Sequence, residues 1–249
     1  MLRSHRWRTV ANSAAYLIPH LRPGLTLLDV GCGPGTITAD FAARLAPGRV
    51  LGIDSAQAIV EAARREYPDV AFATGDVYRL TDVGAGWDIV HAHQVLQHVP
   101  DPVGALAAMR RAVRPGGIVA ARDADYASFT WHPADARLTR WLALYRDIAR
   151  SNGGEPDAGR HLLSWARQAG FAQITASASA WCFATPEDRA WWSGLWADRI
   201  TSSAIAQQAV REGRATAEDL ASFADAWRAW GTAADGWFAV LHGEVICVA

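Results

Sequence analysis

Between residues 25 and 125 the chain alternates short apolar runs, most of them ended by glycine or aspartate, with segments whose apolar residues recur at helical spacing. This alternation is typical of a parallel β-sheet in which crossover helices join successive strands. The pattern predicts five buried strands, at 25–30, 50–53, 70–73, 87–90 and 118–121. The chain is therefore expected to fold as an α/β protein.

The second half of the chain has a different pattern. Helical periodicity or a capping sequence predicts helices over 135–150 and 158–169, and helices that begin near Thr185 and Thr216. Apolar runs predict two more strands, at 171–182 and 237–248. We interpret residues 1–249 as a single domain, with a core of about 20–125 completed by the two late strands, and a helical substrate cap of about 126–165 and 185–232.

Tryptophan is concentrated in this second half. Ten of the 12 tryptophans, all except Trp7 and Trp87, lie at or after Trp131. Tryptophan on an amphipathic helix usually packs in the core. The adjacent Trp191 and Trp192, however, point about 100° apart on a helix and cannot share one buried stripe. Two interpretations of the tryptophans therefore stay open: they pack in the core, or some of them line an aromatic pocket for a flat, apolar or cationic small molecule.

The composition excludes several classes of partner and site. The formal net charge is -1, all 24 basic residues are arginine, and there is no basic stripe, so we expect no nucleic-acid binding, which needs clustered positive charge. No apolar run approaches the ~18–20 residues of a membrane span. The first six residues lack the apolar stretch of a secretory signal, and three cysteines without CxxC spacing predict neither a disulfide framework nor a zinc site. We therefore expect a cytoplasmic protein without a metal, and its oligomeric state stays open.

A glycine-rich turn, Asp-Val-Gly-Cys-Gly-Pro-Gly at 29–35, ends the first strand. Glycines here let the backbone turn sharply and let a ligand approach main-chain amides at the start of a helix. The dinucleotide fingerprint G-x-G-x-x-G fails, because the position that needs its third glycine is Thr36. A phosphate-binding P-loop is excluded, because the chain has no lysine.

Two acids follow the neighbouring strands. Asp54 ends the second strand, 23 residues after Gly31, and Asp76 ends the third. The carboxyl ends of strands in an open α/β sheet form a ligand-binding edge, where a carboxylate can accept hydrogen bonds from ribose hydroxyls. The sequence therefore predicts a pocket for an adenosine compound without a pyrophosphate.

Five segments in this order resemble the motifs of one family: 28–35, 52–55, 75–77, 91–102 and 114–117. The chain resembles the class I S-adenosylmethionine-dependent methyltransferases, in particular the small-molecule branch of the quinone-biosynthesis (type 11) enzymes. The resemblance implies a Rossmann-like sheet of seven strands in the order 3-2-1-4-5-7-6, with the last strand antiparallel and helical insertions after strand 5 and between strands 6 and 7. It also implies S-adenosyl-L-methionine as the cofactor and methyl transfer to a small, aromatic or apolar metabolite.

The same resemblance assigns roles to individual residues. The main chain from Gly31 to Gly35 would face the methionine part of the cofactor, Asp54 the ribose and Asp76 the adenine. Backbone at Ala92 or His93 would close the site, and an N-terminal helix with Arg6, Asn12 and Tyr16 would lie over it. The predicted cofactor-binding residues are Tyr16, Gly31, Cys32, Gly33, Gly35, Asp54, Ser55, Asp76, Val77, Ala92 and His93.

Methyl transfer needs an aligned nucleophile and, where the nucleophile carries a proton, a base. The predicted catalytic residues are Asp125, Tyr126 and His161, which follow the fifth strand or lie in the next loop. A carboxylate or another acidic nucleophile would need no base. Three alternatives stay open: non-methylating chemistry on the same cofactor, methylation of a macromolecule, and a nicotinamide dehydrogenase, which Thr36 disfavours.

Overall fold

The computed structural model describes residues 6–249, and eight β-strands of this part of the chain form one sheet. Residues 1–5, which belong to the segment used for the prediction about a secretory signal, lie outside the described residues. The strands are β1 (Leu27–Val30), β2 (Val50–Asp54), β3 (Ala71–Thr74), β4 (Trp87–His93), β5 (Val113–Ala124), β6 (Thr130–His132), β7 (Gln173–Phe183) and β8 (Trp237–Val248).

The strand order is β3-β2-β1-β4-β5-β8-β6, with β7 also paired to β8. Strands β1 to β5 are parallel, and β8 is antiparallel to β5. The predicted α/β fold and its antiparallel last strand are confirmed. The short strand β6 was not predicted, because three residues are too few to reveal a periodicity, and it pairs with Trp237–Ala239 at the start of β8.

The described residues contain α-helices, several of which begin at a side-chain cap. They are α1 (Val10–Ser13), α2 (Thr36–Leu45), α3 (Gln57–Glu66), α4 (Pro102–Ala112), α5 (Ala136–Ser151), α6 (Leu162–Gln168), α7 (Pro186–Ser202), α8 (Ala204–Arg211) and α9 (Ala217–Thr232). The Asp101 side chain accepts a hydrogen bond from the Gly104 amide, 2.8 Å away, at the start of α4. Thr185 and Thr216 cap α7 and α9 in the same way. Within residues 6–249, no helix is both long and apolar enough to cross a membrane.

The described chain divides into two compact units. The sheet unit comprises residues 6–124, 158–179 and 242–249, and the helical unit comprises residues 125–157 and 180–241. Residues 158–165, which the sequence placed in the helical cap, belong to the sheet unit.

Alternate residues of the central strands face two separate apolar clusters in the sheet unit. Leu28 of β1 and Val90 of β4 pack with α4 and α6, whereas Leu27 and Ile89 pack with α2 and the N-terminal segment. Strands buried on both faces are typical of parallel sheets covered by crossover helices. This packing holds the carboxyl ends of β1 to β4 together at one edge.

The helical unit is organised around tryptophan. The rings of Trp141, Trp196 and Trp227 are essentially without solvent exposure, and the centroid of Trp141 lies 4.6 Å from that of Trp196 and 4.8 Å from that of Trp227. Trp192 is also buried, with its centroid 5.9 Å from that of Trp196. Of the two interpretations that the sequence left open, packing in the core holds for these four tryptophans, because their rings cover one another.

Candidate functional site

A cavity of about 420 Å³ opens where the parallel strands of the sheet unit end. Seven of the predicted cofactor-binding residues line it: Gly31, Gly33, Asp54, Ser55, Asp76, Val77 and His93. The other lining residues are Arg8, Val30, Ile53, Gly75, Tyr78, Gln94, Val95, His98 and Val99. A second, smaller cavity shares Arg8, Gly31, Gly33 and His93 with the first and is also bordered by Cys32. The first cavity has the size and position expected of a ligand site in an open α/β sheet.

The glycine-rich turn brings the main chain to the cavity. Gly31 has φ +69°, and a Cβ at this position would lie 2.4 Å from a methyl carbon of Val95. A side chain at position 31 would therefore collide with the opposite wall of the cavity. Gly35, with φ +88°, begins α2, and its Cβ would meet the ring of Phe72 at 2.7 Å. Gly35 thus shapes the turn from behind and is not among the residues that line the two cavities.

The Asp54 carboxylate connects the turn to the next loop. One oxygen accepts a hydrogen bond from the Gly33 amide at 3.1 Å, and the other accepts one from the Ala56 amide at 3.0 Å. A carboxylate oxygen can accept two hydrogen bonds, so Asp54 keeps acceptor capacity toward the cavity that it lines. Asp76 is arranged similarly: it accepts a hydrogen bond from the Tyr78 amide at 2.9 Å and lines the same cavity.

Cys32 has no nucleophilic character in this environment. Burial, together with the negative charges of Asp29 and Asp54, raises the pKa of its thiol far above the ordinary value. The thiol therefore stays protonated at neutral pH. Nucleophilic chemistry and metal binding both need the deprotonated thiolate.

The three residues at the end of β4 have different surroundings. His91 is fully buried, and its Nδ1 lies 2.8 Å from Asp29, whose other oxygen accepts a hydrogen bond from the Thr38 hydroxyl at 2.6 Å. Ala92 is fully buried as well and does not border the cavities, whereas His93 borders both. Burial, followed by the charges of Arg8 and Arg122, holds the pKa of His93 well below its usual range. The imidazole at the cavity is therefore neutral.

Among the lining residues that were not predicted to bind the cofactor, Arg8 and Gln94 contact each other. An Arg8 guanidinium nitrogen (Nη2) donates a hydrogen bond to Oε1 of Gln94 at 2.5 Å, and Nε2 of Gln94 lies 2.9 Å from Nε2 of His242. Gln94 has φ +54°, and no other non-glycine residue in 6–249 has a positive φ. No sequence motif indicated these contacts, because they join residues that are 86 and 148 positions apart.

The predicted N-terminal contacts lie elsewhere. Arg6 forms an ion pair with Glu66 on the surface, and Asn12 takes part in the capping box of α1. The Tyr16 hydroxyl is buried, and burial raises its pKa well above the ordinary value. Of the described residues of this segment, it is Arg8 that lines the cavities.

A buried polar cluster lies at the carboxyl end of β5. Arg122 contacts Glu244 of β8 at 3.2 Å. Asp123 has no exposed surface, and one of its oxygens accepts a hydrogen bond from the Gln97 amide at 3.1 Å. Burial raises the pKa of Asp123 to about 7 against the opposing hydrogen bonds from the loop after β4. Asp123 therefore holds this cavity-lining loop and changes its charge near neutral pH.

The predicted catalytic residues are not among the described residues that line the two cavities. Asp125 and Tyr126 belong to the helical unit, where the Tyr126 hydroxyl lies 3.1 Å from that of Tyr145. His161 belongs to the sheet unit and stacks on Trp165, with ring centroids 5.4 Å apart. Their catalytic role stays a prediction. In the part of the chain that the structure describes, no group of three or more His, Cys, Asp or Glu residues could hold a metal ion.

Comparison with known proteins gives a consistent family. A family model described as a methyltransferase domain matches residues 27–117. An uncharacterised methyltransferase of Schizosaccharomyces pombe is 34% identical over 259 residues, covering 98% of this chain and 91% of that protein. A trans-aconitate 2-methyltransferase of Methylobacterium radiotolerans is 36% identical over 143 residues, which cover 57% of this chain and 53% of that protein.

A solved structure supports the same fold. The phosphoethanolamine N-methyltransferase 2 of Haemonchus contortus, in complex with phosphomonomethylethanolamine and S-adenosylhomocysteine, matches with a TM-score of 0.56 at 15% identity. The match covers 94% of this chain and 51% of that protein.

Proposed function

Because the chain belongs to the class I S-adenosylmethionine-dependent methyltransferases, we propose that it transfers the methyl group of this cofactor to a small organic molecule. One observation carries the proposal: the ends of β1, β2, β3 and β4 border a single cavity that presents two carboxylates, a glycine-rich main chain and one arginine. These groups fit a ligand with hydroxyl and amino donors, a carboxylate and no phosphate.

The order of the strands orients the cofactor in this proposal. Asp76 and Gly31 follow β3 and β1, and Asp54 ends β2, which lies between these two strands in the sheet. We assign Asp76 to the adenine amino group, Asp54 to the ribose hydroxyls and the Gly31 main chain to the methionine part. Arg8, which borders both cavities, would bind the methionine carboxylate, since a guanidinium forms paired hydrogen bonds with a carboxylate.

When bound, S-adenosylmethionine supplies an electrophilic methyl group on a positively charged sulfur. The neutral state of His93 suits this charge, because a second cation beside Arg8 at the β4 end of the cavity would repel it. The glycine-rich main chain after β1 would hold the cofactor, so the protein would then need only to align the acceptor.

A small acceptor is supported by two observations. The relative from Methylobacterium radiotolerans is named for trans-aconitate, a small molecule. The cavity also presents a single arginine beside two carboxylates, whereas a nucleic-acid substrate would need clustered positive charge. We assign the choice of acceptor to the helical unit, whose sequence carries no cofactor motif.

Calorimetric titration with S-adenosylhomocysteine tests the proposal, and a variant tests the assignment of Arg8. We expect the protein to bind S-adenosylhomocysteine and not NAD. Arg8→Met should weaken binding of S-adenosylhomocysteine by ~1.5–3 kcal/mol, the value of a hydrogen bond to a charged group, and leave the affinity for its decarboxylated analogue unchanged. Arg6→Met, at an exposed arginine of the same segment, is the matched control. Binding of NAD in place of S-adenosylhomocysteine would refute the function, and an equal loss for both ligands would refute the role of Arg8.

A further inference from the structure

Gln94 occupies a backbone conformation that its side chain does not favour. A positive φ is uncommon for residues other than glycine and costs free energy, so that it persists where surrounding contacts impose it. Two sets of contacts impose it here. The backbone N–H of Gln94 donates a hydrogen bond to the carbonyl oxygen of Arg122 at 2.7 Å, and the Gln94 side chain contacts Arg8 and His242. The strained residue therefore joins the N-terminal segment, β4, β5 and β8 at the cavity.

The chemistry of these partners fixes the orientation of the Gln94 carboxamide. A guanidinium only donates hydrogen bonds, so the atom of Gln94 that faces Arg8 is the oxygen. The amide nitrogen then faces His242 and donates to it. Nε2 of His242 must therefore be the unprotonated nitrogen of a neutral ring.

Resting on the proposed function, we propose that Gln94 is a positioning residue that holds Arg8 at the cofactor cavity, and that this hold requires neutral His242. Protonation of His242 places an N–H against the Gln94 amide N–H₂. Rotation of the carboxamide relieves this contact but turns the N–H₂ group toward Arg8, donor against donor. A protonated His242 therefore breaks one of the two hydrogen bonds, so that Gln94 no longer holds the guanidinium and the imidazole at the same time.

His242 is fully buried among other ionisable groups of the sheet unit. The ring of His93 on β4 stacks on it with centroids 6.1 Å apart. In β8 it pairs with Ala124, which places Arg122 and Asp123 on the adjacent strand, and Glu244 follows on β8 itself. Arg8 approaches from the N-terminal segment through Gln94.

Three variants separate this positioning role from a purely structural one, with calorimetric affinity for S-adenosylhomocysteine at neutral pH as the readout. Gln94→Glu should keep the wild-type affinity, because a carboxylate oxygen also accepts a hydrogen bond from Arg8. His242→Gln should keep it as well, because its carboxamide oxygen accepts from the N–H₂ group of Gln94. The control His132→Gln, at an exposed histidine of the helical unit, should also bind like the wild type.

Gln94→Gly distinguishes loss of positioning from loss of folding. Glycine adopts φ +54° without strain, so the thermal unfolding temperature should be equal to or above that of the wild type while the affinity falls about tenfold. Wild-type affinity in Gln94→Gly, or a tenfold loss of affinity in Gln94→Glu, would overturn the inference and leave the proposed function standing. Absence of S-adenosylhomocysteine binding by the wild type would instead refute the proposed function and this inference with it.

Discussion

Replacing Asp123 by asparagine should stabilise the protein relative to the wild type, and this difference in unfolding free energy should increase as the pH rises. The Asp123 carboxyl has no exposed surface, and burial raises its pKa from the ordinary 3.8 to about 7. Each tenfold change in proton affinity corresponds to ~1.4 kcal/mol. Ionised Asp123 therefore costs the folded chain about 4 kcal/mol relative to the unfolded chain.

The sign follows from the direction of the shift. Folding raises the pKa of Asp123, so the folded chain holds its proton more tightly than the unfolded chain does. The associated stability is fully present below pH 3.8, is lost as the pH rises, and is gone above about pH 7. Between pH 5 and pH 8 the wild type should lose about 3 kcal/mol from this group alone.

Urea unfolding followed by tryptophan fluorescence measures this effect. Asparagine keeps an oxygen to accept the Gln97 amide hydrogen bond, and any cost of its buried N–H₂ group, about 1–3 kcal/mol, does not depend on pH. The difference in unfolding free energy between Asp123→Asn and the wild type should therefore grow by about 3 kcal/mol from pH 5 to pH 8 in favour of the variant. Asp69→Asn, at an exposed aspartate of the same unit, is the control. A difference that stays constant over this pH range would refute the reasoning.

Three further changes test other parts of the molecule. Asp54→Ala should weaken binding of S-adenosylhomocysteine by ~1–3 kcal/mol because a hydrogen-bonding charge is lost, and calorimetry on a folded variant that gave an unchanged affinity would contradict the ribose assignment. Gly33→Val should abolish binding, since Gly33 lines the cavity at φ +55°, and measurable affinity would contradict the position of the turn. Trp196→Ala should lower the unfolding free energy by ~3–5 kcal/mol, the range for large core truncations; a loss below about 1 kcal/mol in urea unfolding would show that the tryptophan cluster is not a packed core.

The sheet and the cofactor edge could be predicted because their signals are local. Gly31 and Asp76 follow a strand within two residues and Asp54 ends one, and the ends of parallel strands necessarily share an edge. The last strand has the predicted bounds, Trp237–Val248, because a long apolar run has no competing pattern. These features require no knowledge of which distant residues meet.

The contacts of Arg8, Gln94 and His242 could not be predicted in this way. Each residue is unremarkable in its own segment, and the cluster exists only when the N-terminal segment, the end of β4 and β8 come together. The raised pKa of Asp123 has the same origin, because burial in the assembled sheet is its main cause. Side-chain chemistry that depends on tertiary packing carries no periodicity and no motif.

The antiparallel pairing of β8 with β5 also sets the order in which this chain can fold. Ile118 pairs with Val248 and Ala124 with His242, so this pair of strands closes only after the whole intervening chain has been synthesised. Contacts between residues so far apart in sequence form slowly, and an apolar strand with an open edge is prone to aggregate in the meantime. A fragment of residues 6–124 would keep the strands around the cavity but leave the outer edge of β5 uncovered. Such a fragment should aggregate, so we expect that residues 6–124 cannot serve alone as a small cofactor-binding protein.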